Sequence, residues 1–281
     1  MMKIGVIGAG TMGSGIAQVA ALAGFNVLVQ DLSEPALERA TRTIGDSLAR
    51  MVKKGAIEAS KADEAQALIS TTTVFDLLDD RDLVIEAIVE KLEAKAGLIR
   101  RLDAICRADA IFASNTSSIS LTELAAASAH PGRVIGMHFF NPVPVMQLVE
   151  IIRALQTTDA VAAKVTALTE AMGKTPRVSK DSYGFIVNRL MAPQINEAIN
   201  CVHEGLATVA DIDTMMKLGA NHPMGPLALA DLIGLDVVLN IMETLYQGFD
   251  DPKYRPSPLL KQMVAAGYLG RKTGKGFSEY R

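Results

Sequence analysis

Residues 3–13 read Lys-Ile-Gly-Val-Ile-Gly-Ala-Gly-Thr-Met-Gly, and this stretch decides the fold. Its first part, up to Ile7, is rich in β-favouring residues and predicts a short buried strand. A G-x-G-x-x-G pattern follows at once, and the small residues from Ile16 to Ala23 then predict a helix. A strand, a glycine-rich turn and a helix in immediate succession are typical of the first unit of a doubly wound sheet.

The glycine-rich turn also matches the fingerprint of a dinucleotide site. In that fingerprint Gly8 permits the tight turn, Gly10 admits the pyrophosphate, and Gly13 lets the helix pack closely on the strand. A second predicted strand, 26–30, ends in Asp31, where the fingerprint places an acid. Asp31 would accept hydrogen bonds from the ribose hydroxyls and repel a 2′-phosphate, so we expect NAD, with NADP disfavoured rather than forbidden. The alternative is a tight turn that binds no nucleotide.

The following chain alternates strands and helices up to about residue 180. The runs 83–87 and 111–113 predict strands that are each followed by a helix, which indicates a mainly parallel sheet. Residues 34–68 predict a helical hairpin that projects beyond this sheet. From Gly184 onward the periodicity is helical. We therefore predict an α/β, Rossmann-like doubly wound domain over residues 1–183 and an all-helical domain for substrate and dimerisation over 184–281.

Composition excludes several classes of function. Of the 281 residues, 49% are hydrophobic and 21% charged, and the net charge of −3 gives no reason to expect nucleic acid or a membrane surface as a partner. No apolar run reaches the roughly 18 to 20 residues of a membrane-spanning helix. Because a strand begins at Lys3, we expect no signal or transit peptide. Cys106 and Cys201 are isolated, so we predict buried, reduced thiols in a cytoplasmic protein and no metal site.

Two further apolar runs end in polar side chains. One leads into the serine loop, residues 114–118, which reads Ser-Asn-Thr-Ser-Ser, and the other leads into His138. In an open α/β sheet, ligands bind beyond the carboxyl ends of the strands. We therefore expect the reaction centre at these two strand ends.

The strand that contains His138 is predicted to form a hairpin with the next one. The runs 134–139 and 148–152 lie too close in sequence for a helical crossover, so we expect them to pair antiparallel around Pro144. His138 and Glu150 are equidistant from Pro144, so they would face each other across the pair. A carboxylate next to an imidazole is an acid–base arrangement.

Six strings of the sequence, in order and at compatible spacings, resemble the 3-hydroxyacyl-CoA dehydrogenase family. They are Ser-Asn-Thr-Ser-Ser (114–118), His-Phe-Phe-Asn-Pro-Val-Pro-Val-Met (138–146), Leu-Val-Glu (148–150), Gly-Phe-Ile-Val-Asn-Arg (184–189), Pro-Met-Gly-Pro (223–226) and Lys-Thr-Gly-Lys-Gly-Phe (272–277). The resemblance is strongest to the bacterial stand-alone 3-hydroxybutyryl-CoA dehydrogenases. It implies reversible, NAD-dependent oxidation of a short-chain (S)-3-hydroxyacyl-CoA, in fatty acid or butanoate metabolism.

The resemblance also implies roles for individual residues. His138 would act as the general base, since imidazole titrates near working pH, and Glu150 would orient it and stabilise its cation. Ser117 and Asn188 would hydrogen-bond the substrate. The predicted cofactor-binding residues are Gly8, Ala9, Gly10, Thr11, Met12, Gly13, Asp31, Glu90, Lys95, Ser117, Asn141 and Lys272.

The long helix after Asp31 would bind coenzyme A. Ser47 and Lys54 match family contacts, and we add Arg50 because four-residue spacing places it on the same helix face as Lys54. Spacing alone favours a solvated basic face. One departure from the family pattern is the run Leu-Ala-Leu-Ala at 227–230, where the family has Phe-Glu-Leu.

Two other functions are compatible with these motifs. One is a dehydrogenase of a free hydroxy acid, similar to gulonate dehydrogenase and λ-crystallin, and the other is an NAD-binding protein without turnover. The apolar content of the C-terminal helices further predicts a homodimer formed through them.

Overall fold

The computed structural model describes residues 2–280, so Met1 and Arg281, which the predicted domains include, lie outside the described residues. The chain divides into two compact units, Met1–Asp181 and Ser182–Arg281, which we call unit 1 and unit 2. Unit 1 contains a sheet flanked by helices, and unit 2 is largely helical. The predicted α/β class, with an N-terminal doubly wound sheet and a C-terminal helical part, is confirmed.

Among the described residues, eight strands of unit 1 form one sheet. In chain order they are β1 (Lys3–Ile7), β2 (Asn26–Gln30), β3 (Ile69–Thr72), β4 (Leu83–Glu86), β5 (Ile111–Ser114), β6 (Val134–Phe139), β7 (Leu148–Arg153) and β8 (Thr175–Lys180). Their order across the sheet is β3-β2-β1-β4-β5-β6-β7-β8. Only the β6–β7 pair is antiparallel among these described strands. The order reverses between β1 and β4, and ligand crevices open at such a point.

Helices cover both faces of this sheet. They are α1 (Thr11–Leu22), α2 (Glu34–Lys53), α3 (Ala59–Ala67), α4 (Leu92–Ile105), α5 (Leu121–Ala126) and α6 (Asp159–Ala171). The α2 helix begins after Ser33, whose hydroxyl accepts a hydrogen bond from the Ala36 amide. Its buried side chains, from Leu37 to Leu48, recur at helical spacing and join the core on α1. The last turn of α2 is exposed and basic.

Two strands, β3 and β8, are not predicted by the sequence patterns. Both lie at the edges of the sheet. The β3 strand reads Ile-Ser-Thr-Thr and has no fully buried residue, while β8 contains Pro176, Arg177 and Lys180. Proline and lysine are usual on edge strands, because one side of the strand has no ladder partner and charge discourages further pairing. An apolar periodicity therefore could not identify either of them.

Unit 2 packs five helices around an apolar core within its described residues. They are α7 (Val187–His203), α8 (Val209–Gly219), α9 (Pro226–Ile233), α10 (Leu235–Phe249) and α11 (Pro258–Ala265). Ile199, Leu227, Leu235 and Leu260 are fully buried at its centre. The all-helical prediction needs one correction, because the segment after α11 forms two isolated β-bridges at Lys275. Across residues 2–280, no helix has both the length and the apolar content needed to cross a bilayer.

The C-terminal segment, residues 270–280, is built around Asp231 of α9. The Asp231 carboxylate is 1% exposed and accepts hydrogen bonds from Phe277 N (2.9 Å), Ser278 N (3.0 Å) and the Tyr280 hydroxyl (2.8 Å). A Cβ atom at Gly276 would overlap this carboxylate, so only glycine fits there. Burial and the hydrogen bond to Asp231 raise the pKa of Tyr280. The buried Asp231 carboxylate therefore anchors residues 277–280 to α9.

Candidate active site

The glycine-rich turn between β1 and α1 has the geometry that a bound diphosphate requires. Gly8 has a φ of +101°, and a Cβ there would lie 2.6 Å from the Ala87 carbonyl oxygen. A Cβ on Gly13 would overlap the Gly8 carbonyl oxygen, so close helix–strand packing also demands glycine. A Cβ on Gly10, in contrast, would meet nothing within 4 Å. Gly10 thus leaves open space in front of the first turn of α1, where amide groups attract anions.

Asp31 closes the other side of this space. Its two carboxylate oxygens accept hydrogen bonds from Ala9 N (2.8 Å) and Ser33 N (2.9 Å), which ties the glycine turn to the loop after β2. A carboxylate has further lone pairs for ribose hydroxyls. Asp31, Gly8 and Gly10 line a cavity of about 640 Å³ together with Arg101 of α4. This cavity, at the glycine turn and beside the acid of the fingerprint, lies where the adenosine half of a dinucleotide is expected.

A buried acid–base pair lies at the junction of β6 and β7. The antiparallel register places His138 opposite Glu150, so the predicted register is confirmed. His138 Nδ1 lies 2.8 Å from Glu150 Oε2, and the two residues are 6% and 3% exposed. The Phe140 ring packs on the imidazole, with ring centroids 4.5 Å apart. Glu150 and Phe140 therefore both restrict the orientation of the imidazole.

The serine loop lies beside this pair because β5 is the neighbour of β6. Asn115 Oδ1 accepts a hydrogen bond from Phe139 N at 2.9 Å, which joins the loop to the residue after His138. A single carboxylate oxygen, Glu90 Oε1, is the acceptor for hydrogen bonds from the next three residues of the loop. It accepts hydrogen bonds from Thr116 Oγ1 (2.5 Å), Ser117 N (2.9 Å), Ser118 Oγ (3.0 Å) and Ser118 N (3.1 Å). The position of Ser117 thus depends on Glu90.

Beneath the loop lies an ion cluster that the sequence analysis did not foresee. Lys95 is 1% exposed, and its ammonium lies 2.8 Å from both oxygens of Glu86 and 3.2 Å from Glu90. Ser114 Oγ also donates a hydrogen bond to Glu86. The signal in the sequence was Glu86 itself, since an acid within an apolar strand run is seldom buried without a partner. Lys95, predicted as a cofactor contact, touches these two carboxylates in the structure.

Lys95 sets the protonation of Glu90. Burial alone would raise the pKa of Glu90, but the Lys95 ammonium and the hydrogen bonds from Thr116, Ser117 and Ser118 outweigh it and lower the pKa. A carboxyl with a depressed folded-state pKa stabilises the fold above its unfolded pKa. That contribution is lost as the pH falls through the folded value.

We expect Glu90→Gln to lower the free energy of unfolding at pH 7 by about 1–3 kcal/mol, since it removes charged hydrogen bonds and leaves Lys95 with one carboxylate. The difference from the wild type should shrink as the pH falls below the unfolded-state pKa of Glu90 and through its lowered folded-state pKa. Urea unfolding between pH 3 and 7 measures this. Glu93→Gln, an exposed acid three residues away in the first turn of α4, is the control. A difference that stays constant down to pH 3 would contradict the role of the charge.

The remaining predicted site residues lie in several places. Asn141 is exposed and follows Phe140, and Ser47, Arg50 and Lys54 lie along the last turns of α2 and its C-cap. In unit 2, Asn188 is buried in the first turn of α7, and Lys272 pairs with Asp236 at 2.5 Å. The departing run at 227–230 forms the start of α9, where Leu227 N and Ala228 N donate to Asp213. These last contacts belong to the core of unit 2.

The two cysteines are unpaired. The prediction that they are buried is wrong, because both are half-buried. Burial of the sulfur still raises the pKa of the Cys106 thiol to about 11, which makes it a poor nucleophile at neutral pH. Within residues 2–280, no three His, Cys, Asp or Glu side chains are grouped as metal ligands.

A dinucleotide cavity and a buried histidine–carboxylate pair serve one kind of chemistry. The cavity fits a hydride-carrying cofactor, and the pair can take a proton from a hydroxyl group. Their combination in a single unit defines the class of NAD-dependent oxidoreductases.

Comparison with known proteins identifies the family within this class. Residues 3–182 match the model described as the NAD-binding domain of 3-hydroxyacyl-CoA dehydrogenase, and residues 184–280 match its C-terminal domain. A probable 3-hydroxybutyryl-CoA dehydrogenase of Deinococcus radiodurans is 53% identical over 99% of this chain and 100% of the relative. The 3-hydroxybutyryl-CoA dehydrogenase of Bradyrhizobium diazoefficiens is 52% identical over 99% of this chain and 95% of the relative.

The likeness extends to three dimensions. The crystal structure of (S)-3-hydroxybutyryl-CoA dehydrogenase PaaH1 from Ralstonia eutropha superposes with a TM-score of 0.97 at 51% identity, over 100% of this chain and 99% of that one. The chain belongs to the 3-hydroxyacyl-CoA dehydrogenase family. The resemblance drawn from its motifs is confirmed, and so is its class as an NAD-dependent enzyme.

Proposed function

We propose that this chain catalyses the reversible, NAD-dependent oxidation of an (S)-3-hydroxyacyl-CoA to a 3-oxoacyl-CoA. We propose a short acyl chain, with 3-hydroxybutyryl-CoA as the substrate. The observation that supports this most directly is the His138–Glu150 pair, 2.8 Å apart and almost fully buried beside the serine loop. The names of the similar proteins support the choice of substrate.

His138 is the proposed base. Since Glu150 engages Nδ1, the proton of the C3 hydroxyl would be taken at Nε2. When bound, NAD⁺ supplies the acceptor for the hydride, which leaves C3 with both electrons of its bond as the C3–O double bond forms. An imidazolium in a buried site is unfavourable without a counter-charge, and Glu150 provides that charge. In the reverse direction, the same imidazolium returns the proton to the oxygen.

The hydroxyl of Ser117 and the amide of Asn188 are proposed to hydrogen-bond the substrate oxygens. The proposed cofactor contacts are those predicted from the motifs, namely the glycine turn from Gly8 to Gly13, Asp31, Glu90, Lys95, Ser117, Asn141 and Lys272. For Lys95 the structure suggests action through Glu90, because its ammonium already touches two carboxylates. Asp31 favours NADH over NADPH by charge repulsion.

The exposed end of α2 is proposed to bind the phosphates of coenzyme A. Ser47 is half-buried, while Arg50 and Lys54 are exposed cations on one face, which suits a mobile polyanionic ligand. This clamp would distinguish a thioester substrate from a free acid. A dehydrogenase of free hydroxy acids has no use for it.

We expect NADH-dependent reduction of acetoacetyl-CoA to exceed that of free acetoacetate by at least about 100-fold in kcat/KM, because a tenfold change needs only 1.4 kcal/mol of binding. Arg50→Ala and Lys54→Ala should each raise KM for acetoacetyl-CoA a few-fold, as exposed ion pairs do. Arg39→Ala, an exposed cation about three turns nearer the start of α2, is the matched control. Equal kcat/KM for the thioester and the acid would instead identify a free-acid dehydrogenase. No NADH oxidation with either would indicate a protein without turnover.

We also propose domains at residues 1–183 for NAD and 184–281 for substrate and dimerisation, with residues 34–68 projecting from the former. A homodimer through the C-terminal helices is supported by exposed apolar side chains at Leu206, Met215 and Leu218. Unpaired cysteines support a cytoplasmic location. Sedimentation equilibrium tests the dimer.

A further inference from the structure

Lys174 is a buried lysine that the proposed reaction does not use. It lies between α6 and β8 and is 7% exposed. Its ammonium donates to two backbone carbonyl oxygens, Val143 O at 2.6 Å and Met146 O at 2.9 Å. Burial lowers the pKa of Lys174. Placing an ammonium group away from water is costly, so its contacts must offset that cost.

Both carbonyl oxygens belong to the β6–β7 loop, residues 140–147. This loop has little secondary structure of its own: Val145 N and Met146 N both donate to Pro142 O at 3.0 Å. The Lys174 ammonium binds the same turn at two carbonyl groups, those of Val143 and Met146. The lysine backbone is itself fixed, since Lys174 N donates to Thr169 O at the end of α6. Lys174 therefore anchors the loop to the C-terminal end of α6.

The loop reaches the two halves of the proposed site. At its start, Phe140 packs on the His138 imidazole with ring centroids 4.5 Å apart. In its middle, Val143 is buried against α1, and a Cβ added to Gly15 would lie 2.7 Å from the Val143 Cβ. The α1 helix begins at the glycine turn that faces the dinucleotide. A shift of the loop would move contacts on both the base and this helix.

We propose that Lys174 is a positioning residue that fixes the β6–β7 loop and thereby couples the His138 imidazole to the dinucleotide helix α1. The inference rests on the proposed function for its kinetic consequences. The structural claim, that Lys174 fixes the β6–β7 loop, does not depend on the proposed function. Any residue can supply the two backbone oxygens, whereas the donor must be a long side chain with several N–H groups.

The test is Lys174→Met, which keeps most of the length of the side chain and removes the donors. Hydrogen–deuterium exchange of the Val145 and Met146 amides should become at least about tenfold faster, because the loop opens more often. The dissociation constant of NADH, from fluorescence titration, should rise several-fold. With acetoacetyl-CoA, kcat should fall about tenfold. Lys174→Arg, which keeps a cationic donor, should recover part of each change.

The matched control is Arg133→Met. Arg133 is an equally buried cation just before β6, at the end of that strand opposite His138, and it binds Asp103 and the Arg107 carbonyl. It should lower the melting temperature and leave loop exchange, NADH affinity and kcat unchanged. If Lys174→Met matched this control in all three, the proposal would be overturned. If Lys174→Met does not fold, Lys174→Leu, which also lacks N–H donors, is judged by the same criteria. Wild-type protein without turnover would refute the proposed function, while exchange and NADH binding would still decide the role of Lys174.

Discussion

His138→Asn is expected to lower kcat for acetoacetyl-CoA reduction by about 10²- to 10⁴-fold, the usual contribution of a general acid–base group. Asparagine keeps an N–H that can face Glu150, which lies 2.8 Å from Nδ1 in the wild type. It has no group that takes up and returns a proton at neutral pH. The NADH dissociation constant should change by less than about threefold, because other residues line the cavity at the glycine turn and Asp31. Steady-state kinetics and fluorescence titration measure the two quantities.

His130→Asn is the control for this substitution, because His130 is an exposed histidine of the same unit. It should leave kcat unchanged. Glu150→Gln should give an intermediate loss, since the imidazole keeps a hydrogen-bonding neighbour and loses the charge that stabilises its cation. Turnover of His138→Asn within tenfold of the wild type would rule out His138 as the base.

Asp231→Ala is expected to destabilise the protein by about 3–5 kcal/mol, because it removes three hydrogen bonds to a buried carboxylate, from Phe277 N, Ser278 N and the Tyr280 hydroxyl. For a protein of this size that corresponds to a fall in melting temperature on the order of 10 °C. Differential scanning calorimetry of the full chain measures the change. Trypsin should also cut faster at Lys272 and Lys275, since the segment that contains them loses its anchor.

Two further variants separate the anchor from general effects of removing an acid. Tyr280→Phe deletes one of the three hydrogen bonds and should cost about 1 kcal/mol. Asp251→Asn changes an exposed acid whose ion-pair partner Lys253 is also exposed, and it should have little effect. A melting temperature of Asp231→Ala within 2 °C of the wild type would show that the segment is held by other contacts.

The sequence was sufficient to predict how the acid–base pair is assembled. The connection between 134–139 and 148–152 is too short for a crossover, so only an antiparallel pair was available. In such a pair the register follows from the turn, and His138 was thereby predicted to oppose Glu150. The glycine turn was predictable for a similar reason, since steric limits on Gly8 and Gly13 are local.

What the sequence did not reveal was which charged residues are buried. The residues beside Lys95 and Lys174 in the sequence offer no charged partner that would predict burial, and their burial depends on partners that other elements supply. Glu86, for example, comes from β4, and Val143 and Met146 from the β6–β7 loop. The edge strands β3 and β8 were missed because polar residues suit an edge. Tertiary placement determines these features.

The antiparallel β6–β7 pair constrains insertions and deletions more than substitutions. Side chains alternate faces along a strand, so lengthening the turn by one residue would offer a different partner to His138 or turn Glu150 to the opposite face. Changes of residue type at 144–147 are far milder, because the contact with Lys174 at Met146 uses a backbone oxygen. A library that varies residue types in the β6–β7 loop at a fixed loop length should therefore keep the acid–base pair. The chemistry of this enzyme constrains the number of residues between β6 and β7 more than their identity.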